Sequence, residues 1–175
     1  MAVGPNRWWV NVHVGGLWWS DDAGETWHAA VEPEADIHEV RAGGEGNVAV
    51  AAAVGFGWST DDGESWLWTT DGLHGSYLRA VALDGETAFV SASDGPFTKN
   101  GAVYRARLGS GFRRCEAGLP NRFEGNVDSG HLDAAGGRVA IGFGDGVYVS
   151  EDCGQTWRTS AVLSDPITAV RFAQP

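Results

Sequence analysis

One pattern, Ser-x-Asp-x-Gly-x-Thr/Ser-Trp, occurs three times in this 175-residue chain. The copies carry Ser20, Asp22, Gly24 and Trp27; Ser59, Asp61, Gly63 and Trp66; and Ser150, Asp152, Gly154 and Trp157. A turn that recurs so closely requires an architecture built by repetition. An Asp two residues ahead of a Gly suits a tight hairpin: the carboxylate accepts hydrogen bonds from backbone N–H groups of the turn, and Gly supplies a positive φ. Thr or Ser then restarts the strand, and Trp anchors the loop. The clustered Asp21, Asp22, Asp61, Asp62, Glu151 and Asp152 also bring a calcium loop to mind. The ligand series and closing bidentate Glu of such a loop are missing, so no metal and no cofactor is expected.

The spacing gives the unit. Trp27 and Trp66 lie 39 residues apart, and a degenerate copy, Tyr104 to Phe112, divides the remaining interval into steps of 46 and 45. In that copy Arg107 takes the place of the Asp. This is the pitch of a four-stranded propeller blade. The units are expected at 7–31, 36–70, 76–117 and 128–161, with a lone terminal strand at 166–173. Val48, Val50 and Ala52 alternate with Ala49 and Ala51, so strands apolar on both faces are expected, as when sheets stack face to face. The 26 Gly and 9 Trp suit many tight turns with regularly placed aromatics.

The motif resembles the Asp-box, or BNR repeat, of sialidase-like β-propellers. The resemblance covers nearly the whole chain and implies an all-β propeller with Asp-box hairpins on one face. Its first unit is expected to begin at strand Trp8–Val14. The terminal strand Ile167–Phe172 could then pair there and close a ring of four. Alternatively, the four units belong to a larger propeller, completed by another copy or a missing half. The resemblance implies six to eight blades and favours the second arrangement.

A net charge of −11 argues against nucleic acid or anionic membranes as partners. No stretch is long and apolar enough to span a membrane as a helix, and Met1–Arg7 has no signal-peptide core. If Met1 is the true start, a cytoplasmic protein is expected. Two cysteines, Cys115 and Cys153, form no disulfide framework and are expected to be reduced.

In a propeller the innermost strands line a central channel, and their first residues ring its mouth. Aligning the units on Gly43-Gly44, Asp84-Gly85 and Gly136-Gly137 places His38, Arg79 and His131 at one equivalent position, with Thr168 in the terminal strand. His13 and His74 map to the same face, with Asp36, Asp94 and Asp128 near. The long segments Ser93–Gly101 and Arg113–Ser129 belong there too, and loops of that length on a rigid scaffold commonly carry function. The expected ligand site is therefore His13, His38, Arg79 and His131, suited to a small anion or a carboxylate-bearing or carbohydrate ligand. The histidines converge without HxH or HExxH spacing, so zinc or iron is not expected.

The resemblance implies two functional classes. Binding propellers of the group take proteins or peptides; one of them, a photosystem II assembly factor, uses an arginine-rich patch, and this sequence shows no comparable run. Sialidases of the group carry an Arg-Ile-Pro segment, an arginine triad and a Tyr–Glu nucleophile pair. This chain lacks Arg-Ile-Pro and offers only Arg79, although Tyr77 and Glu124 could stand as such a pair. A ligand- or protein-binding scaffold is the expected function. The alternative is a glycoside hydrolase whose site is completed by residues outside this chain.

Overall fold

The computed structural model describes residues 1–173, and within them the three motif copies form near-superimposable hairpins. In each, the Ser hydroxyl donates to Asp Oδ1 at 2.7 Å and accepts the Gly N–H at 2.8 to 2.9 Å. The same Asp takes the N–H and the hydroxyl of Thr26, Ser65 or Thr156, and the Trp indole donates to the Gly carbonyl at 3.1 Å. The hydrogen bond from the Ser65 hydroxyl, followed by that from Ser59, pulls the Asp61 carboxyl down to about 2. Asp22 and Asp152 are held well below the usual range by Thr26 and Thr156 in the same way. Two consecutive residues turn left-handed in each hairpin: Ala23-Gly24, Asp62-Gly63 and Cys153-Gly154.

The chain is all-β. Four antiparallel meanders are formed: β1 (Ala2–Val3), β2 (Trp8–Val12), β3 (Gly16–Ser20), β4 (His28–Val31); β5 (Ile37–Ala42), β6 (Val48–Ala52), β7 (Gly55–Ser59), β8 (Leu67–Thr69); β9 (Val81–Asp84), β10 (Thr87–Ala92), β11 (Ala102–Arg107), β12 (Arg113–Arg114); and β13 (Leu132–Ala135), β14 (Arg138–Phe143), β15 (Gly146–Ser150), β16 (Arg158–Val162). Each meander is one propeller blade, and the motif hairpins join the third strand of blades 1, 2 and 4 to the fourth.

The blades stack face to face through three apolar clusters. Trp9 and Leu17 of blade 1 pack on Val48, Val50 and Ala52 of blade 2. Ala49, Ala51 and Phe56 continue to Ala88, Val90 and Tyr104 of blade 3. Phe89 and Val103 meet Val139, Ile141 and Trp157 of blade 4. All five residues of β6 are buried, as the doubly apolar alternation requires. The motif glycines have a second task here. A Cβ on Gly63 would sit 2.2 Å from the Trp9 ring, and one on Gly154 would sit 2.7 Å from Phe89. The preceding blade's aromatic rests directly on the turn backbone.

Several expectations are corrected. Blade 1 has an inner strand, β1, pairing Ala2 with Trp9 and Val3 with Trp8. Tyr77 lies outside β9 and joins its sheet only through an isolated bridge to Ser93. The segment Ile167–Phe172 forms no ladder and does not reach β2. It lies on blade 4, with Ile167 N–H bonded to Gly144 O and Val170 N–H to Gly130 O. Arg107 does not occupy the Asp position either. It remains in β11 opposite Thr87, in a hairpin one residue shorter than the others, and pairs with Glu86.

Candidate functional site at the channel mouth

The approach to β5 sets the geometry. A 3-10 turn at Pro33–Ala35 ends on Asp36 with φ 48°, a left-handed conformation that Asp tolerates. The next residues bulge: the β5–β6 register slips between Ile37 and Glu39, leaving His38 outside the ladder. Bulges re-aim side chains in this way. The His38 ring is almost fully buried, lies 4.8 Å from the Tyr77 ring, and donates from Nδ1 to the Leu78 carbonyl at 2.5 Å. Its Nε2 faces Asp36 Oδ2 at 3.4 Å, and His13 Nδ1 approaches Asp36 Oδ1 at 3.6 Å from the exposed β2–β3 turn.

The cluster continues across blade 3. Arg79 Nη1 donates to the Tyr77 hydroxyl at 3.4 Å, and Nε lies 3.1 Å from Asp128 Oδ1. Ser129 Oγ lies within hydrogen-bond reach of the His38 and Arg79 carbonyls, at 3.1 and 2.8 Å. Residues 13, 36, 38, 77, 79, 128 and 129, from blades 1 to 4, thus form one connected polar group. Four buried side-chain polar atoms lack a hydrogen-bond partner among the described residues, and three are here: Asp36 Oδ1, His38 Nε2 and Arg79 Nε. The Arg79–Asp128 pair is close enough for charge attraction but not aligned as a hydrogen bond. A protein seldom leaves such atoms unpaired, and here each faces a charged neighbour outside hydrogen-bond geometry: Asp36 Oδ1 faces His13, His38 Nε2 faces Asp36, and Arg79 Nε faces Asp128.

His13, His38 and Arg79 all belong to this group. His131 is not part of the group. Leu132 pairs with Ile141 as Val40 pairs with Val50, which sets His131 level with Glu39, one step along the strand from His38. His74 is also occupied elsewhere: both ring nitrogens are used, by the Tyr104 hydroxyl and the Asn100 carbonyl, each at 2.7 Å. Asp94 bonds Thr98. The two long loops pack on each other through a Gly101–Phe123 bridge and through Asn126, which holds Gly95 and Pro96. Among the described residues no group of three His, Cys, Asp or Glu side chains is close enough to hold a metal ion.

Two features escape a sequence reading. Glu39 is buried, with Oε1 2.7 Å from Arg41 Nη2 and accepting the Gly130 N–H, and Oε2 accepting the Val81 N–H. Desolvation raises its carboxyl above the usual range despite Arg41. One side chain thereby ties three blades together. The second is a groove of about 340 Å³ where Arg105, Arg107, Arg113 and Cys153 converge. Arg105 and Arg113 are direct cross-strand partners, so a cluster that is dispersed in the sequence is assembled by pairing. The other thiol, Cys115, is buried and pushed up to about 12, which leaves it unreactive. A further groove is lined by Val31, Glu32, Glu34, Ala35, Val54 and Trp68.

No protein-family model matches the chain, and no curated protein matches it in sequence. Solved structures do. An ancestral GH74 enzyme superposes with a TM-score of 0.68 at 18% identity, over 89% of this chain and 22% of that one. The GH74 xyloglucanase from Xanthomonas campestris gives 0.59 at 20% identity, over 90% and 29%. The WD40 repeats of RRP9 give 0.63 at 13% identity, over 95% and 52%. The chain spans between about a fifth and a half of these proteins, and at such identities the likeness shows the β-propeller fold.

Proposed function

We propose that the chain is an Asp-box propeller of the BNR type and that it is a binding scaffold that takes a carbohydrate at the channel mouth. The carrying observation is that Asp36 Oδ1, His38 Nε2 and Arg79 Nε, all buried and without a hydrogen-bond partner, belong to one connected polar group. The set mixes acceptor and donor atoms. Hydroxyl groups, each both donor and acceptor, satisfy such a set where a simple anion does not. The cations are moreover already faced by Asp36 and Asp128, which disfavours the small anion expected from the histidines and arginine alone. Trp68, partly exposed in a groove also lined by Ala35, the chain neighbour of Asp36, supplies an apolar ring face for a sugar to stack on. Titration calorimetry with neutral and uronic-acid oligosaccharides tests this. Neutral sugars bind, and Arg79→Ala weakens them by about tenfold or more, the loss of about 1.5–3 kcal/mol of hydrogen bonding to a charged group. Binding that is confined to acidic sugars, or unchanged in the His38→Ala, Arg79→Ala double variant, overturns it.

A glycoside hydrolase is the second reading, supported by two carboxylates, Asp36 and Asp128, within the same cluster. Such enzymes work with a carboxylate pair across the scissile bond. Release of reducing ends from a bound oligosaccharide, abolished by Asp128→Asn, would favour it over binding alone.

A further inference from the structure

Blade 1 carries an apolar face that the other blades bury. By register Trp8 pairs with Ser20 and Val10 with Trp18, as Val48 pairs with Ser59 and Val50 with Gly57. Trp8, Val10 and Val12 therefore stand where Val48, Val50 and Ala52 stand in blade 2. Those three are at most 2% exposed, whereas Val12 is 45% exposed and Trp18 37%. Trp27 is 36% exposed, while its counterpart Trp157 is 7% exposed against blade 3. The inner edge of β2 is also open: β1 pairs with Trp8 and Trp9 only.

The far end is complementary. Ile167 lies on Gly142 of blade 4, 2.5 Å from where a Cβ would stand. This is the place that Leu78 takes over Ala51 of blade 2. The 167–170 segment is thus an inner strand without a blade, and blade 1 is a blade with half an inner strand. None of the apolar clusters among the described residues joins blade 4 to blade 1, so the molecule does not use one end to satisfy its own other end.

We propose that two copies of this chain join head to tail, blade 1 of each stacking on blade 4 of the other. Counting along the matched registers sets the second copy's Val170 opposite Val10 and its Ile167 opposite Val12. The segment leaves the edge at Arg171, where β1 takes over. The junction repeats the three junctions already inside the chain: an inner strand lies over the preceding blade's face, with Val and an aromatic of the next blade, Trp66, Phe112 or Trp157, behind it. Two such contacts close a ring of eight blades. Propellers have about four to eight, so two copies close where three would exceed the range, and a heterologous contact that closes yields a discrete assembly.

Analytical ultracentrifugation of the full chain reads the mass directly. A species of twice 18.5 kDa is expected, and Val12→Lys or Trp18→Glu, at partly exposed positions, returns it to a monomer with the parent's far-ultraviolet circular dichroism spectrum. In a Cys153→Ser background, Val12→Cys with Ile167→Cys forms a covalent dimer on oxidation. A monomer at all concentrations overturns the proposal, as does a dimer indifferent to Val12→Lys and Trp18→Glu. A dimer that these variants break but that Val12→Cys alone cross-links is face to face, and it overturns the head-to-tail arrangement.

Discussion

At Glu39 and at the motif aspartates, the chain places carboxylates in opposite surroundings, and the two respond oppositely to pH. The motif carboxylates are held in their charged form by donors. Their contribution is fully present above the ordinary Asp value of 3.8 and is lost as pH falls towards the folded value, about 2 for Asp61. Asp61→Asn lowers the melting temperature near neutrality and flattens the acid limb of the pH profile, because the Ser65 hydroxyl and N–H lose a charged acceptor. Glu39 has the reverse sign: its raised folded value means that its contribution is complete below 4.5 and declines as pH rises through its titration. Glu39→Gln removes that decline, so the variant's stability changes less than the parent's between mildly acidic and neutral pH. Thermal melts across pH check both, and a parallel shift of the whole curve in either variant contradicts the assignment. Neither carboxylate is equally visible beforehand. Asp61 acts within four residues and can be read from its own neighbours, whereas Glu39 draws its partners from Val81 and Gly130, far along the chain.

The hairpins show the same division between local and distant chemistry. Their Ser, Asp, Thr and Trp bonds were legible because they close inside a single turn. The inner strands were not: the ladders set Asp84-Gly85 level with Ala135-Gly136, whereas composition alone matches Asp84-Gly85 to Gly136-Gly137, and His38 bulges out of register. Counting back from the loops therefore put His131 beside His38 and Arg79, one residue from its true level. The second task of the motif glycine was equally hidden, since the Trp9 ring arrives from another blade. It gives a direct test of blade stacking. Gly63→Ala combines a left-handed φ of 82° with a Cβ inside the Trp9 ring contact, and costs about 1–3 kcal/mol. Gly44→Ala, which meets nothing within 4 Å, changes stability by about 0.5 kcal/mol or less. Trp9→Ala, which empties the junction between blades 1 and 2, costs about 3–5 kcal/mol. Denaturant titration of the three variants would contradict face-to-face stacking if their costs were equal.

For the whole molecule, the blade pitch and the doubly apolar strands announced a propeller, and the four stacked sheets bear that out. The polar group at the mouth was legible in part, through His13, His38, Arg79 and the neighbouring Asp36 and Asp128. Its balance of charge was not, because that depends on which carboxylate meets which cation across blade boundaries. The arginine groove on blade 3 competes with the mouth as a place for a ligand, and the two make distinct footprints. Hydrogen–deuterium exchange of the full chain with and without a saturating neutral oligosaccharide separates them most directly. Ligand at the mouth slows exchange at Asp36–Arg41, Tyr77–Arg79 and Asp128–His131 and leaves Arg105–Arg113 unchanged. Protection confined to Arg105–Arg113 or to the motif hairpins, with the mouth segments exchanging as before, would contradict it.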